Sequence, residues 1–141
     1  RQVFFTPDGW PVVSPERYTG SVSRKFSAED MAGEWEVIRI QEPAYERRLQ
    51  AGQILWGEGQ LKEEEWNVSH LLSLEKNGHL GENKGTWELL EAKQLLSLTL
   101  EGEIINNLII FAGHDWENEK ETVLFTGLDS CGRSIWGKRI K

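Results

Sequence analysis

The chain has 141 residues, of which 16 are basic and 23 acidic, giving a formal charge of −7 at pH 7. That length holds one core domain and a short extension. The acidic balance argues against a nucleic-acid partner, whose binders draw affinity from Lys and Arg, and no apolar run approaches the ~18 residues of a membrane span.

Taken in chain order, the first signal is Asp8-Gly9-Trp10-Pro11-Val12-Val13-Ser14-Pro15-Glu16-Arg17-Tyr18. A turn-forming Asp-Gly pair leads into a short apolar run bounded by two prolines, which reads as the end of one domain rather than the start of another. The polar stretch from Thr19 to Ser27, with Gly20 inside it, marks the boundary. Residues 1–26 are therefore read as the tail of an upstream domain with its interdomain segment, and residues 27–141 as a second domain. Ser27 followed by Asp30 predicts an N-capped turn of helix that Gly33 stops.

From there the spacing is all-β. Residues 34–41 alternate through Trp35 and Val37, then change phase to Ile38 and Ile40, which predicts a bulged strand. Residues 42–50 allow another turn of helix, and 53–60 and 66–75 read as strands. Asn77-Gly78 is a hairpin turn signal, and 86–91 reads as the next strand. Residues 94–101 give the clearest alternation, with Leu96, Leu98 and Leu100 on one face and Ser97 and Thr99 on the other. After the Glu101-Gly102-Glu103 turn come an apolar segment from Ile104 to Ala112, a polar loop around Asn118 to Lys120, and a strand from Thr122 to Leu128. A turn from Asp129 to Gly132 and a last strand from Arg133 to Ile140 complete the chain. Seven or eight strands joined mostly by short turns predict an antiparallel meander. Closing it into a small barrel removes the edges that a strand as apolar as residues 107–111 would otherwise expose.

The residues that carry chemistry are mostly tryptophans. Trp35, Trp87 and Trp136 fall in strand patterns and are expected to fill the barrel. Trp56, Trp66 and Trp116 stand at strand ends or in loops among charged neighbours, where rings can stack on the flat C–H faces of sugars. With His114 and Asp115 beside Trp116, these five residues form the expected carbohydrate-binding set. Trp10, Arg17 and Tyr18 are expected at an interdomain contact. Cys131, the one cysteine, sits in a turn-like cluster, so no intramolecular disulfide is expected. His70, His79 and His114 lack metal-ligand spacing, and Glu63-Glu64-Glu65 reads as a solvated loop with at most weak affinity for Ca²⁺. No catalytic pair, metal or cofactor is assigned.

Two signatures, one at the start and one spread over the second half of the chain, carry a resemblance. The opening run Asp8 to Tyr18 with Gly20, and later Thr86-Trp87-Glu88, Phe125-Thr126-Gly127-Leu128-Asp129 and Ser134-Ile135-Trp136-Gly137, resemble family-43 glycoside hydrolases of the endo-arabinanase type. They match the close of the catalytic domain and the C-terminal β-barrel domain that follows it. Ser21 stands where that pattern has an acid, and the likeness is looser between residues 41 and 65. The resemblance implies a lipocalin-like barrel after an extended N-terminal segment, and a five-bladed catalytic propeller upstream that carries the two carboxylates of glycoside hydrolysis. It further implies a secreted, extracellular parent enzyme, in which this chain is a non-catalytic module that packs on the propeller and meets arabinan-type polysaccharide through exposed Trp. Related enzymes also act on xylan-type polymers. Three other readings stay open: a lipocalin-like carrier of a small apolar ligand, a purely structural domain, and an enzyme built from carboxylates or His at the barrel mouth.

Overall fold

The computed structural model describes residues 1–20, 22–40 and 67–141. The strand expected at 53–60 and the helical turn expected at 42–50 lie outside these residues. A hairpin of β1 (Val3–Phe5) and β2 (Pro11–Val13) comes first, followed by an extended stretch and a single helical turn, α1 (Ala28–Met31). Eight strands follow: β3 (Gly33–Arg39), β4 (His70–Leu74), β5 (His79–Leu80), β6 (Gly85–Leu90), β7 (Leu95–Leu100), β8 (Glu103–Asp115), β9 (Lys120–Leu128) and β10 (Ser134–Arg139). They pair antiparallel in chain order, and β10 returns to β3, so the sheet closes into an eight-stranded barrel. The two-residue β5 is its thinnest stave, meeting β4 at the Leu74–Leu80 register pair.

The expected turns sit where their chemistry places them. Ser27 and Asp30 form a reciprocal capping box on α1, which satisfies backbone donors that a helix start leaves unpaired. Gly78, at φ +85°, takes the left-handed position of the Asn77-Gly78 turn. In β7, Leu96 and Leu98 are fully buried and Leu100 packs against the same core.

Eight strands leave an interior that side chains can fill; among the described residues they pack much of it, and a cavity of about 480 Å³ stays open at the end lined by Val37, Arg39, Leu72, Leu100 and Glu103. Trp35, Leu72, Leu74, Leu98, Ile105 and Phe125 belong to one buried cluster, with Trp35 and Phe125 rings 5.4 Å apart. Phe26 and Met31 close the α1 end, where the Trp35 indole N–H donates to the Met31 carbonyl at 2.8 Å. A Cβ on Gly137 would lie 2.0 Å from the Phe125 ring, so the absence of a side chain there is what admits the ring. Among the described residues no helix is long and apolar enough to cross a membrane.

Two sequence expectations are corrected. β3 pairs with β10 in unbroken register from Trp35 to Arg39, so it has no bulge, and Ile38 simply points outward. The bulge is in β8: Leu96 faces Leu108 while Leu98 faces Ile105, so Asn106 and Asn107 together oppose Ser97, with Asn107 at φ +61°. This extra residue is what lets Ile105, Leu108 and Ile110 all reach the core.

Trp136 is the second correction. Its neighbours Ile135 and Gly137 face inward, so Trp136 and Lys138 project from the outside of the barrel. That outer face is covered by the N-terminal segment. Phe4 stacks on Phe111 at 4.5 Å, the Arg1 guanidinium sits 5.4 Å over the Trp136 ring, and Thr126 donates its hydroxyl hydrogen to the Val13 carbonyl at 2.6 Å. Strands β8 to β10 are thus covered on both faces.

Candidate functional site

The outer face of β8–β10 carries the densest polar constellation. Lys138 is 8 % exposed, and its ammonium reaches Glu117 at 2.9 Å, Asp115 at 3.0 Å, Glu16 at 3.5 Å and Glu36 at 3.6 Å. Four elements converge here because alternation puts Lys138 opposite Glu36 on β3, β8 ends at Asp115, and the covering segment delivers Glu16. Burial pulls the ammonium pKa down, but hydrogen bonds and attraction to Glu117 and Asp115 outweigh it, so the value is raised. Asp115 is fully buried. Burial pushes its pKa up, yet the Asn118 amide and Lys138 outweigh this and hold it below the ordinary value.

The turn after β8 holds the part of the expected sugar set that the structure describes. Trp116 is 43 % exposed, with His114 edge-on at 4.8 Å and the Arg17 guanidinium 5.0 Å over its ring. His114 and Trp116 are therefore brought together, and both touch solvent. Asp115 between them is committed to the fold, accepting from the Glu117 and Asn118 backbones, the Asn118 side chain and Lys138. Trp56 and Trp66 lie outside the described residues, as do Glu63 to Glu65. Of the expected interdomain residues, Arg17 lies on Trp116, while Trp10 and Tyr18 are exposed on the N-terminal segment.

A second charged cluster rims the barrel end opposite α1. Arg39 meets Glu103 at 2.6 Å and Asp129 at 3.6 Å, and the Arg133 Nε donates to Asp129 at 2.8 Å. Ser130 donates its hydroxyl to Glu103, which lowers the Glu103 pKa against its partial burial, with Arg39 assisting. Asp129 is raised by burial but lowered further by the backbone N–H groups of Arg133 and Cys131 and by the Arg133 guanidinium. Glu103, Asp129 and Cys131 bring ligand atoms within 4.8 Å of one another. With Arg39 and Arg133 already neutralising both carboxylates, the arrangement is an ion-pair network more than a cation cage. A general acid for glycoside chemistry needs a raised pKa, and the buried carboxylates of both clusters are shifted the other way.

The sequence reading missed Lys138, because the strand pattern hides which partner a lone basic residue faces. The signal available was the placement of Ile135 and Gly137 on one face, which puts Trp136 and Lys138 on the other.

A closed eight-stranded antiparallel meander with a packed core and one end closed by a helical turn is a lipocalin-like barrel. The chain belongs to the family of C-terminal lipocalin-like domains of family-43 glycoside hydrolases, whose sequence profile matches residues 15–137. It is 27 % identical over 140 residues to extracellular endo-α-(1→5)-L-arabinanase 2 of Bacillus subtilis, covering 98 % of this chain and 25 % of that protein. It is 28 % identical over 146 residues to the extracellular endo-α-(1→5)-L-arabinanase of Thermotoga petrophila, covering 99 % and 26 %. The chain thus spans about a quarter of the length of these relatives. Its fold is shared with a family-43 glycoside hydrolase of Bacillus licheniformis, at a TM-score of 0.72 and 23 % identity, over 99 % of this chain and 27 % of that one. The Thermotoga petrophila endo-1,5-α-L-arabinanase structure superposes with a TM-score of 0.68 and 23 % identity, over 99 % and 28 %.

Proposed function

We propose that this chain is the non-catalytic C-terminal module of a larger, secreted, arabinan-degrading glycoside hydrolase. In this reading residues 1–26 are the end of the catalytic domain and its link, residues 27–141 are the barrel, and the barrel packs on a catalytic propeller that precedes it. The observation that carries the reading is the N-terminal hairpin. Its inner residues Phe4 and Val12 lie toward the barrel, while the outward pairs Val3–Val13 and Phe5–Pro11 are apolar and exposed, Phe5 by 68 %. An apolar ribbon with a second uncovered face is suited to join two domains. The arabinanase relatives, about four times as long, supply the expected neighbour and its substrate.

Within this reading Trp116, with His114 beside it and Arg17 above it, is the described part of an arabinan-contacting surface. It works by ring stacking and hydrogen bonding, with no bond broken. The buried cluster counts against a ligand carried deep in the barrel and leaves a small-ligand carrier only the open cavity of about 480 Å³ at the Arg39–Glu103 end.

Two measurements test this. Calorimetry of the full-length enzyme is expected to give one coupled transition, which Val3→Ser with Phe5→Ser splits; two independent transitions in the unaltered enzyme would refute the packing. Titration of the 141-residue chain with linear arabinan, debranched arabinan and xylan, read by Trp fluorescence, is expected to show a saturable change with arabinan that Trp116→Ala weakens. No response to any of these polymers would leave the module purely structural.

A further inference from the structure

A groove of about 650 Å³ opens at the α1 end of the barrel, between the C-terminal residues, the start of β9 and the extended stretch before α1. Four of its lining residues have cationic side chains, Arg24, Lys120, Arg139 and Lys141, against one side-chain carboxylate, Glu121. In a chain of net charge −7 this is a local reversal of sign.

The pairing of these cations differs from that elsewhere in the molecule. Arg39, Arg133 and Lys138 each meet a carboxylate at 3.0 Å or less. Among the described residues, Arg24, Lys120 and Arg139 meet neutral groups instead. Arg139 Nε and Nη2 donate to the Ala32 carbonyl at 3.1 and 2.8 Å, Lys120 Nζ donates to the Ile140 carbonyl at 2.7 Å, and Arg24 stacks on the Phe26 ring at 4.5 Å. Lys141 reaches Glu34 at 3.7 Å, both of them well exposed. Asp30 feels Arg24 and Arg139, but its oxygens accept from Ser27 in the capping box. Neutral carbonyls and a ring hold Arg24, Lys120 and Arg139 in place without cancelling their charge, while Lys141 pairs with Glu34.

The scaffold holds the geometry. Gly33 leaves the space that Arg139 crosses, since a Cβ there would lie 2.9 Å from Nε and 2.1 Å from the Lys141 carbonyl. The terminal residues are tied to Glu34, whose N–H donates to the Lys141 carbonyl at 3.0 Å and whose carbonyl accepts from Ile140 at 2.8 Å. Ala112 and Gly113 bring no bulk to the floor, and Val22 and Ile140 add apolar wall.

We infer that this groove binds a carboxylated polysaccharide, a chain of uronic-acid residues, at a site separate from Trp116. The inference rests on the polysaccharide reading above and adds an acidic class of glycan to the neutral one. Same-sign charges around a cleft raise the local concentration of counter-charged ligand, and screening at ordinary salt confines that attraction to about 10 Å. A chain carrying one carboxylate per ring offers partners to the three cations held by neutral groups, whereas duplex nucleic acid, with a charge every ~1.7 Å, is repelled by the rest of an acidic surface. The apolar wall and small floor residues accept the C–H faces between carboxylates.

The test is calorimetric titration of the 141-residue chain with an oligogalacturonate, at low and at raised ionic strength, beside neutral linear arabinan and inorganic polyphosphate. Saturable binding of the oligogalacturonate is expected, weakened by salt and weakened about tenfold in the Arg24→Gln/Lys120→Gln variant, both positions being exposed, while Lys76→Gln/Lys93→Gln leaves it unchanged. A tenfold weakening corresponds to about 1.4 kcal/mol. Absence of oligogalacturonate binding, equal weakening by the control pair, or tighter binding of polyphosphate would each overturn the inference. Arabinan binding reports separately, being neutral, centred on Trp116 and insensitive to the groove variant, so either reading can fail while the other stands.

Discussion

The two faces of β8, β9 and β10 are both covered, but by different physics. Inward, the strands meet an apolar cluster in which volume decides the fit: Gly137 exists as the room for Phe125. Outward, they meet a segment of their own chain through rings, a hydroxyl and the Lys138 cluster. There, charge balance and hydrogen bonding decide. The inner face tolerates no extra atoms, and the outer face tolerates no lost partner.

Gly137→Ala attacks the inner face most directly. The added methyl meets the Phe125 ring and is expected to destabilise the chain by about 3 kcal/mol, measured by urea unfolding, with Phe125→Leu in the same chain restoring part of the loss. If Gly137→Ala unfolds at the wild-type midpoint, the tight fit claimed for this face is wrong. Lys138→Met is the matching change outside. It keeps the stem but leaves fully buried Asp115 without its cation, at an expected cost of about 3 kcal/mol, and adding Asp115→Asn should recover a good part.

Acidification separates the faces more gently. Asp115 and Asp129 have lowered folded-state pKa values, so the stability they contribute is present above the ordinary value of about 3.9 and is lost as pH falls through the folded values below it. Lys138, with a raised value, contributes stability that is complete below its ordinary pKa of about 10.4 and is lost as pH rises through the folded value above that. Unfolding free energy is therefore expected to fall below about pH 4, and the acid slope should be shallower in Lys138→Met. Equal slopes in the two proteins would detach Asp115 from Lys138. The smallest expected effect is that of Arg1→Ala, which removes a cation–π contact over Trp136 and should cost about 0.5–1 kcal/mol in the same assay.

The contrast also explains which parts of the fold were legible in the sequence. β7 alternates cleanly, and its pattern of Leu96, Leu98 and Leu100 predicted the buried face. Where the N-terminal segment lies on the sheet, both faces carry large apolar groups and the alternation disappears. Ile38 then imitates a phase change in β3, Trp136 reads as core, and the real bulge at Asn106-Asn107 is hidden inside an apolar run. The same limit applied to the site. His114-Asp115-Trp116 stood out as a triplet, but the reason Asp115 faces away from solvent is a lysine 23 positions later, on a strand that pairs with β9 and β3. The cations of the groove are scattered from residue 24 to residue 141, and only barrel closure gathers them.

The two-residue β5 has a consequence for how the barrel breathes. Leu74 and Leu80 are each 1 % exposed, yet their strands share a single register pair, while β8 and β9 share seven. Shielding of side chains and slowness of amide exchange are different properties, since exchange follows the free energy of local opening. Deuterium is therefore expected to enter the backbone at Glu75, whose N–H donates to the His79 carbonyl across this seam, well before it enters β8 or β9, making the narrow stave the first place where a closed cylinder becomes, briefly, an open sheet.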